Sequence, residues 1–151
     1  MKLKQSLFAV LFAAVLPMAA HADLPGNHPA YLHGLTDLRD ARWNLEHRPG
    51  DMAVSELEDA AIMEIDKAIG EIKRAAIDDG KDIHDHPHED ANLDRPGRLH
   101  HALELLKRAE GDVSGEEDNP QTQGLQQRVR MHIHEAIHST EHALRDAEMG
   151  R

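Results

Sequence analysis

Apolar residues recur at helical spacing through most of the chain beyond residue 22, and this pattern restricts the fold more than any other feature. Leu, Ile, Ala and Val supply it, whereas the whole chain has only two Phe, one Tyr and one Trp. Strands require β-branched and aromatic residues in alternation, and amphipathic helices require apolar residues three and four positions apart. We therefore expect an all-α fold.

Four segments carry the helical pattern, and standard helix-end signals coincide with their limits. Pro29 and Pro120 suit the first turn of a helix, and Gly80 suits the position after a last turn. Ser55 and Glu58 form a capping box if the second helix begins late. The predicted helices span approximately residues 29–47, 52–79, 95–109 and 119–149.

The connections between the helices differ in length. Those at 48–51 and 110–118 are short, which favours antiparallel neighbours. The polar segment 80–94 is long, as loops with a function or without order often are. We expect an antiparallel up-down-up-down four-helix bundle, forming a single domain over residues 23–151.

Residues 1–22 have the features of a cleaved signal peptide. Lys2 and Lys4 precede an apolar run over 7–16, and Ala20 and Ala22 form a small-x-small cleavage site. The run is too short to span a bilayer, so we expect no membrane anchor after cleavage. The pattern predicts a periplasmic protein, with secretion beyond the cell as the alternative.

Composition excludes several classes of function. The chain has no Cys, so it lacks disulfides, thiolate metal sites and thiol nucleophiles. Its 28 acidic residues outnumber 17 basic residues, giving a formal net charge of −11. Nucleic acids and anionic membranes require a cationic face, so we expect neither as a partner.

Histidine is the main functional signal, with 13 copies in 151 residues. The segment 84–90 contains His84, His86 and His88, and an extended chain projects alternate residues to one side. Three imidazoles with neighbouring carboxylates suit divalent Zn, Cu or Ni. The alternative is a solvated loop that binds nothing.

A second histidine set lies on the predicted fourth helix. His134, His138 and His142 recur every four residues, opposite the apolar stripe of that helix. Neighbours at this spacing converge on one face and are plausible metal ligands. The alternative is an ordinary solvated face.

The segment 134–138 also matches the H-E-x-x-H pattern of zinc peptidases. The longer metzincin form requires Gly and His where this chain has Glu141 and Leu144, and few residues follow to supply a third ligand. We interpret the match as coincidental. With no nucleophile motif, phosphate loop or buried carboxylate pair, we expect no enzyme and no bound nucleotide. We also expect no haem, because no His lies at the centre of an apolar stripe and aromatic residues are scarce.

Two charged residues interrupt the predicted apolar stripes. Arg42 lies between Leu38 and Leu45, and Glu58 follows Leu57. Charges in such positions usually pair internally, so we expect an ion pair between Arg42 and Glu58.

The segment 28–43, HPAYLHGLTDLRDARW, together with 64–66 and 75–81, resembles a group of uncharacterised exported bacterial helical proteins. The resemblance implies a small helical domain and no particular activity.

Two functions fit these features. The first is a periplasmic metal-binding or metal-buffering protein that uses the two histidine sets. The second is a non-metal interaction or stress protein, with an unknown protein partner, whose histidines respond to pH. Imidazoles protonate as pH falls through about 6.5, which would neutralise most of the negative charge.

Overall fold

In the computed structural model, every regular element of the described residues is an α-helix, as predicted. The structure describes residues 27–47, 55–78 and 93–150, with side chains omitted for 76–78. The predicted signal peptide and the histidines of segment 84–88 lie outside these ranges. The helices are α1 (Tyr31–Glu46), α2 (Glu56–Asp78), α3 (Arg95–Asp112) and α4 (Pro120–Glu148).

Local capping determines where three of the helices begin. Asp94 accepts a hydrogen bond from the backbone N–H of Gly97, and Asn119 accepts one from that of Gln121. At α2, Glu58 accepts from the backbone N–H of Ser55, and the Ser55 hydroxyl accepts from that of Glu58. This is the capping box that the sequence predicted for the case in which the second helix begins late.

The helices pack around one apolar core. Each contributes a stripe of fully buried residues, and Leu and Ile fill most of the volume. The largest apolar members include Leu35, Leu38, Leu45, Ile65, Ile72, Leu99, Leu105, Leu106 and Ile133.

Contacts between side chains show how the helices run. Gly34 of α1 lies against Ile72 of α2, whereas Arg42 reaches Asp66, so α1 and α2 are antiparallel. Asp37 pairs with Arg108 of α3, and Asp40 lies near His101. α1 and α3 are therefore antiparallel as well.

The interfaces of α4 with α2 and with α3 are also antiparallel. Glu71 of α2 pairs with Arg128 of α4, and Glu64 with His132. Lys107 of α3 pairs with Glu141 of α4, and His100 of α3 lies 3.3 Å from Glu148. α4 therefore runs antiparallel to both α2 and α3.

These directions differ from the predicted up-down-up-down order. α2 and α3 both run opposite to α1 and occupy diagonal positions, in contact with α1 and α4 rather than with each other. The end of α2 and the beginning of α3 thus lie at opposite ends of the bundle. Joining them requires a connection at least as long as the bundle, which explains the length of the polar segment without invoking a function.

The predicted ion pair between Arg42 and Glu58 is wrong. Arg42 donates from Nε to Asp66 at 2.7 Å and also pairs with Glu46. Glu58 is buried in the capping box and lies 3.4 Å from a guanidinium nitrogen of Arg95. No helix within the described residues has an apolar stretch long enough to cross a membrane.

Candidate functional site

The exposed face of α4 contains the only predicted histidine set that the structure describes. His134 and His138 are exposed, and His142 is half-buried. The apolar residues of α4, among them Val129, Ile133 and Ala136, are buried on its other side. The placement of this histidine stripe away from the core is as predicted.

His138 and His142 form a close pair. Their Nε2 atoms are 3.2 Å apart, and their rings meet edge to face with centroids 4.5 Å apart. Which ring donates in this contact depends on the tautomers. The i, i+4 spacing on one helix holds both rings over the same turn.

The separation of these two nitrogens suits a shared metal ion. Zinc binds imidazole nitrogen at about 2.0–2.1 Å, so two nitrogens in a tetrahedral site lie about 3.3 Å apart. The observed 3.2 Å is close to that value. A divalent ion that takes the place of a proton between the rings would find both nitrogens at a suitable separation.

His134 does not join this pair. It is eight residues from His142, or about 12 Å along the helix axis, too far for one ion to bind both. Its ring lines an open cavity of about 340 Å³ instead, with Glu110 of α3 and the α4 residues Gln127, Arg130, Met131 and Glu135. The histidine beside His138 is thus His142, whereas a zinc-peptidase motif would use His134.

A second group of possible ligands lies where the chain enters α1. His28, Glu117 and Asp118 offer one imidazole nitrogen and two carboxylate oxygens, all within 4.8 Å of one another. The Glu117 side chain is fully buried, and His28 Nδ1 is 3.3 Å from its Oε1. Mixed nitrogen and oxygen donors of this kind suit several divalent metals.

The donors of this second group already fasten two parts of the fold together. Glu117 accepts hydrogen bonds from the Tyr31 hydroxyl and from the backbone N–H of Asn119. Asp118 accepts from the backbone N–H of Asn27 and donates its own N–H to the Asn27 carbonyl. We call this arrangement, Asn27–Tyr31 against Glu117–Asn119, the N-terminal clasp.

Sequence analysis missed the N-terminal clasp as a site. Glu117 belongs to an acidic stretch that has the composition of a solvated turn, and it lies 86 residues from Tyr31. The available signal was the concentration of His28, Pro29 and Tyr31 at the start of the first helix.

No family model, no curated protein and no solved structure matches this chain.

Proposed function

We propose that the protein is an exported, histidine-rich protein that binds divalent transition metals. The observation that carries the proposal is the 3.2 Å separation of the Nε2 atoms of His138 and His142. Both nitrogens are borderline ligands, which suit Zn, Cu or Ni in the divalent state.

The position of the pair also supports binding. It lies on the exposed side of a helix whose opposite side is packed in the core, so an ion reaches it directly from solvent. The rigid helix sets the spacing before the metal arrives, which reduces the entropy lost on binding. The acidic character of the chain adds a general attraction for cations.

We further propose that His84, His86 and His88 supply a second binding segment. The support is their spacing in the sequence, with Asp85 and Glu89 as neighbouring carboxylates. The pattern of residues 1–22 supports a periplasmic location, where a histidine-rich protein would buffer metal ions. A periplasmic fraction containing the chain without residues 1–22, identified by mass spectrometry, would test this location.

Isothermal titration of the tag-free protein with Zn²⁺, Cu²⁺ and Ni²⁺ tests the function. We expect saturable binding near neutral pH that is lost about one pH unit below the usual imidazole pKa of about 6.5, because protonated imidazole does not bind metal. The double variant His138→Ala/His142→Ala should lose one site. His33→Ala/His100→Ala, which also removes two exposed histidines, is the matched control and should bind like the original.

Each other outcome has a definite meaning. The site would lie in the segment 84–88 if a variant with His84, His86 and His88 replaced by Ala lost all binding. In that case His138→Ala/His142→Ala would bind metal like the original protein. A site that survives both sets of substitutions but disappears with His28→Ala would place it at the N-terminal clasp. Absence of saturable binding at neutral pH overturns the proposal.

A further inference from the structure

Two exposed methionines flank the histidine pair symmetrically. Met131, His138, His142 and Met149 are separated by seven, four and seven residues. Seven residues are about two helical turns, so Met131 and Met149 lie on nearly the same line along α4 as the pair. The order of these side chains along α4 is Met, His, His, Met. Their spacing is the same on both sides of the level of residue 140. We call these four residues the α4 face.

The methionines are unusual in being exposed. Met131 and Met149 are 52% and 56% exposed, and among the described residues Met63 is the other large apolar side chain with this property. Exposed apolar residues are common singly. Here two exposed methionines lie at equal distances from the pair of proposed metal ligands, so they are not isolated surface residues.

The histidine pair supplies only part of a coordination shell. A tetrahedral zinc site has four ligands, and His138 and His142 account for two. The carboxylate of Glu141, which lies beside the pair in sequence, is 3.3 Å from Lys107 of α3. Among the described residues, three possible ligands lie close together only in the N-terminal clasp, as His28, Glu117 and Asp118. The pair on α4 has no third ligand of this kind beside it in the part of the chain that the structure describes.

We propose that a second copy of this chain completes the site, so that one divalent ion joins two copies through their α4 faces. This inference rests on the metal binding proposed above. A two-fold axis at the level of residue 140 makes the two α4 helices antiparallel and brings both histidine pairs to one point. Each copy then contributes one pair, so that the ion has four imidazole nitrogens around it, the number of ligands in a tetrahedral zinc site.

The same axis brings apolar side chains together. Met131 of each copy meets Met149 of the other, on both sides of the metal. Methionine is flexible and polarizable, so it packs well in such a contact. A two-fold interface uses the same patch on both subunits, and because Met131 and Met149 lie equally far from the histidine pair, each Met131 faces a Met149 when the two pairs meet on the axis.

Charge makes the association depend on the metal. The exposed charges beside the histidines on α4 are mixed, with Glu135 before them and Arg145 after them, but the chain as a whole carries a formal net charge of −11. Two metal-free copies therefore repel each other, and two methionines on each side bury little apolar area. The ion supplies both the positive charge and the directional bonds.

Sedimentation velocity of the tag-free protein, with Zn²⁺ added stepwise and then removed by EDTA, tests the inference. In the variant His84→Ala/His86→Ala/His88→Ala, which removes the second proposed binding segment, we expect a monomer without metal, a dimer at one ion per two chains, and a return to monomer after chelation. His142→Ala should remain monomeric. Met131→Glu should raise the dimer dissociation constant by about tenfold or more while its first zinc ion still binds. Met63→Glu on α2, which replaces an equally exposed methionine, is the matched control and should dimerise normally.

The outcomes separate this inference from the proposed function. Zinc bound at one ion per chain by a protein that stays monomeric overturns the inference and leaves metal binding intact. A dimer that His142→Ala still forms would show that the α4 face is not the interface. Absence of saturable binding of Zn²⁺, Cu²⁺ and Ni²⁺ overturns both proposals.

Discussion

The hydroxyl of Tyr31 donates a hydrogen bond to Oε2 of Glu117 at 2.7 Å, and both residues are buried. This contact joins the first residue of α1 to the segment between α3 and α4. The other oxygen of Glu117 accepts from the backbone N–H of Asn119, which caps α4. One buried carboxylate thus links the beginnings of two helices.

Removing that hydroxyl should destabilise the protein measurably. Tyr31→Phe leaves a buried carboxylate oxygen without its donor, at a cost of about 1–3 kcal/mol. Urea unfolding followed by circular dichroism would report the change as a lower midpoint with an unchanged slope. In the background of Glu117→Gln the same substitution should cost less, because the charged acceptor is gone. Equal costs in both backgrounds would show that the two side chains are not coupled.

Two glycines of the helices should respond in opposite directions to alanine. A Cβ at Gly34 would lie 3.0 Å from Cγ1 of Val113 and 3.2 Å from Cδ1 of Ile72, whereas a Cβ at Gly70 meets no atom within 4 Å. Gly70→Ala should therefore stabilise the fold by about 1 kcal/mol through helix propensity. Gly34→Ala should instead destabilise it by about 1 kcal/mol, because overcrowding exceeds that gain. Thermal melts of the two variants side by side provide the measurement, and equal stabilisation by both would contradict the packing at Gly34.

The capping box of α2 gives a third prediction. Ser55→Ala removes the hydroxyl that accepts from the Glu58 N–H and lies 2.5 Å from its carboxylate. The expected loss in the free energy of unfolding is about 1 kcal/mol. Ser55→Thr keeps a hydroxyl in the same place and should recover most of that loss. If alanine and threonine behave alike in chemical denaturation, the side chain at this position does not cap the helix.

The helices themselves could be predicted because their signals are local. Apolar spacing, Asn119 before Pro120 and the box of Ser55 and Glu58 all act within a few residues of the chain. The pairing of His138 with His142 belongs to the same category, because i, i+4 neighbours meet on any α-helix. The choice of His142 rather than His134 as the partner of His138 depends on ring orientation, which the spacing does not specify.

The order of the helices and the internal pairs could not be predicted from local signals. Short connections indicate neighbours, but they do not show on which side of α1 the third helix packs. The register between α1 and α2 places Arg42 beside Asp66, a residue that looks like any solvated acid in the sequence. Glu117 is a similar case, since nothing around it indicates burial. These features arise from contacts between distant parts of the chain.

The interface of α2 with α4 should make stability depend on pH in the acid range. Burial alone would raise the pKa of Glu64, but hydrogen bonds and charge from Lys67 and His132 outweigh it, so that pKa is below the ordinary 4.5. The hydrogen bond from Arg128, aided by its charge and that of Arg74, also lowers the pKa of Glu71, although burial opposes this change. Lowered carboxyl pKa values stabilise the folded state above the unfolded value, and this stability is lost as pH falls through the folded values.

The double variant Glu64→Gln/Glu71→Gln isolates this contribution. Near pH 7 it should be less stable than the original protein, because Glu71 loses its ion pair with Arg128 across the helix interface, and Glu64 loses its ion pair with Lys67. The difference should shrink as pH falls below about 5, since protonation removes the same charges from the original protein. Unfolding midpoints in urea at several pH values measure it. Glu104→Gln/Glu135→Gln, which neutralises two exposed acids in the middle of other helices, is the control for the change in net charge and should lower the stability near pH 7 by less. A stability difference that stays constant from pH 7 to pH 3 would show that Glu64 and Glu71 act by packing and not by charge.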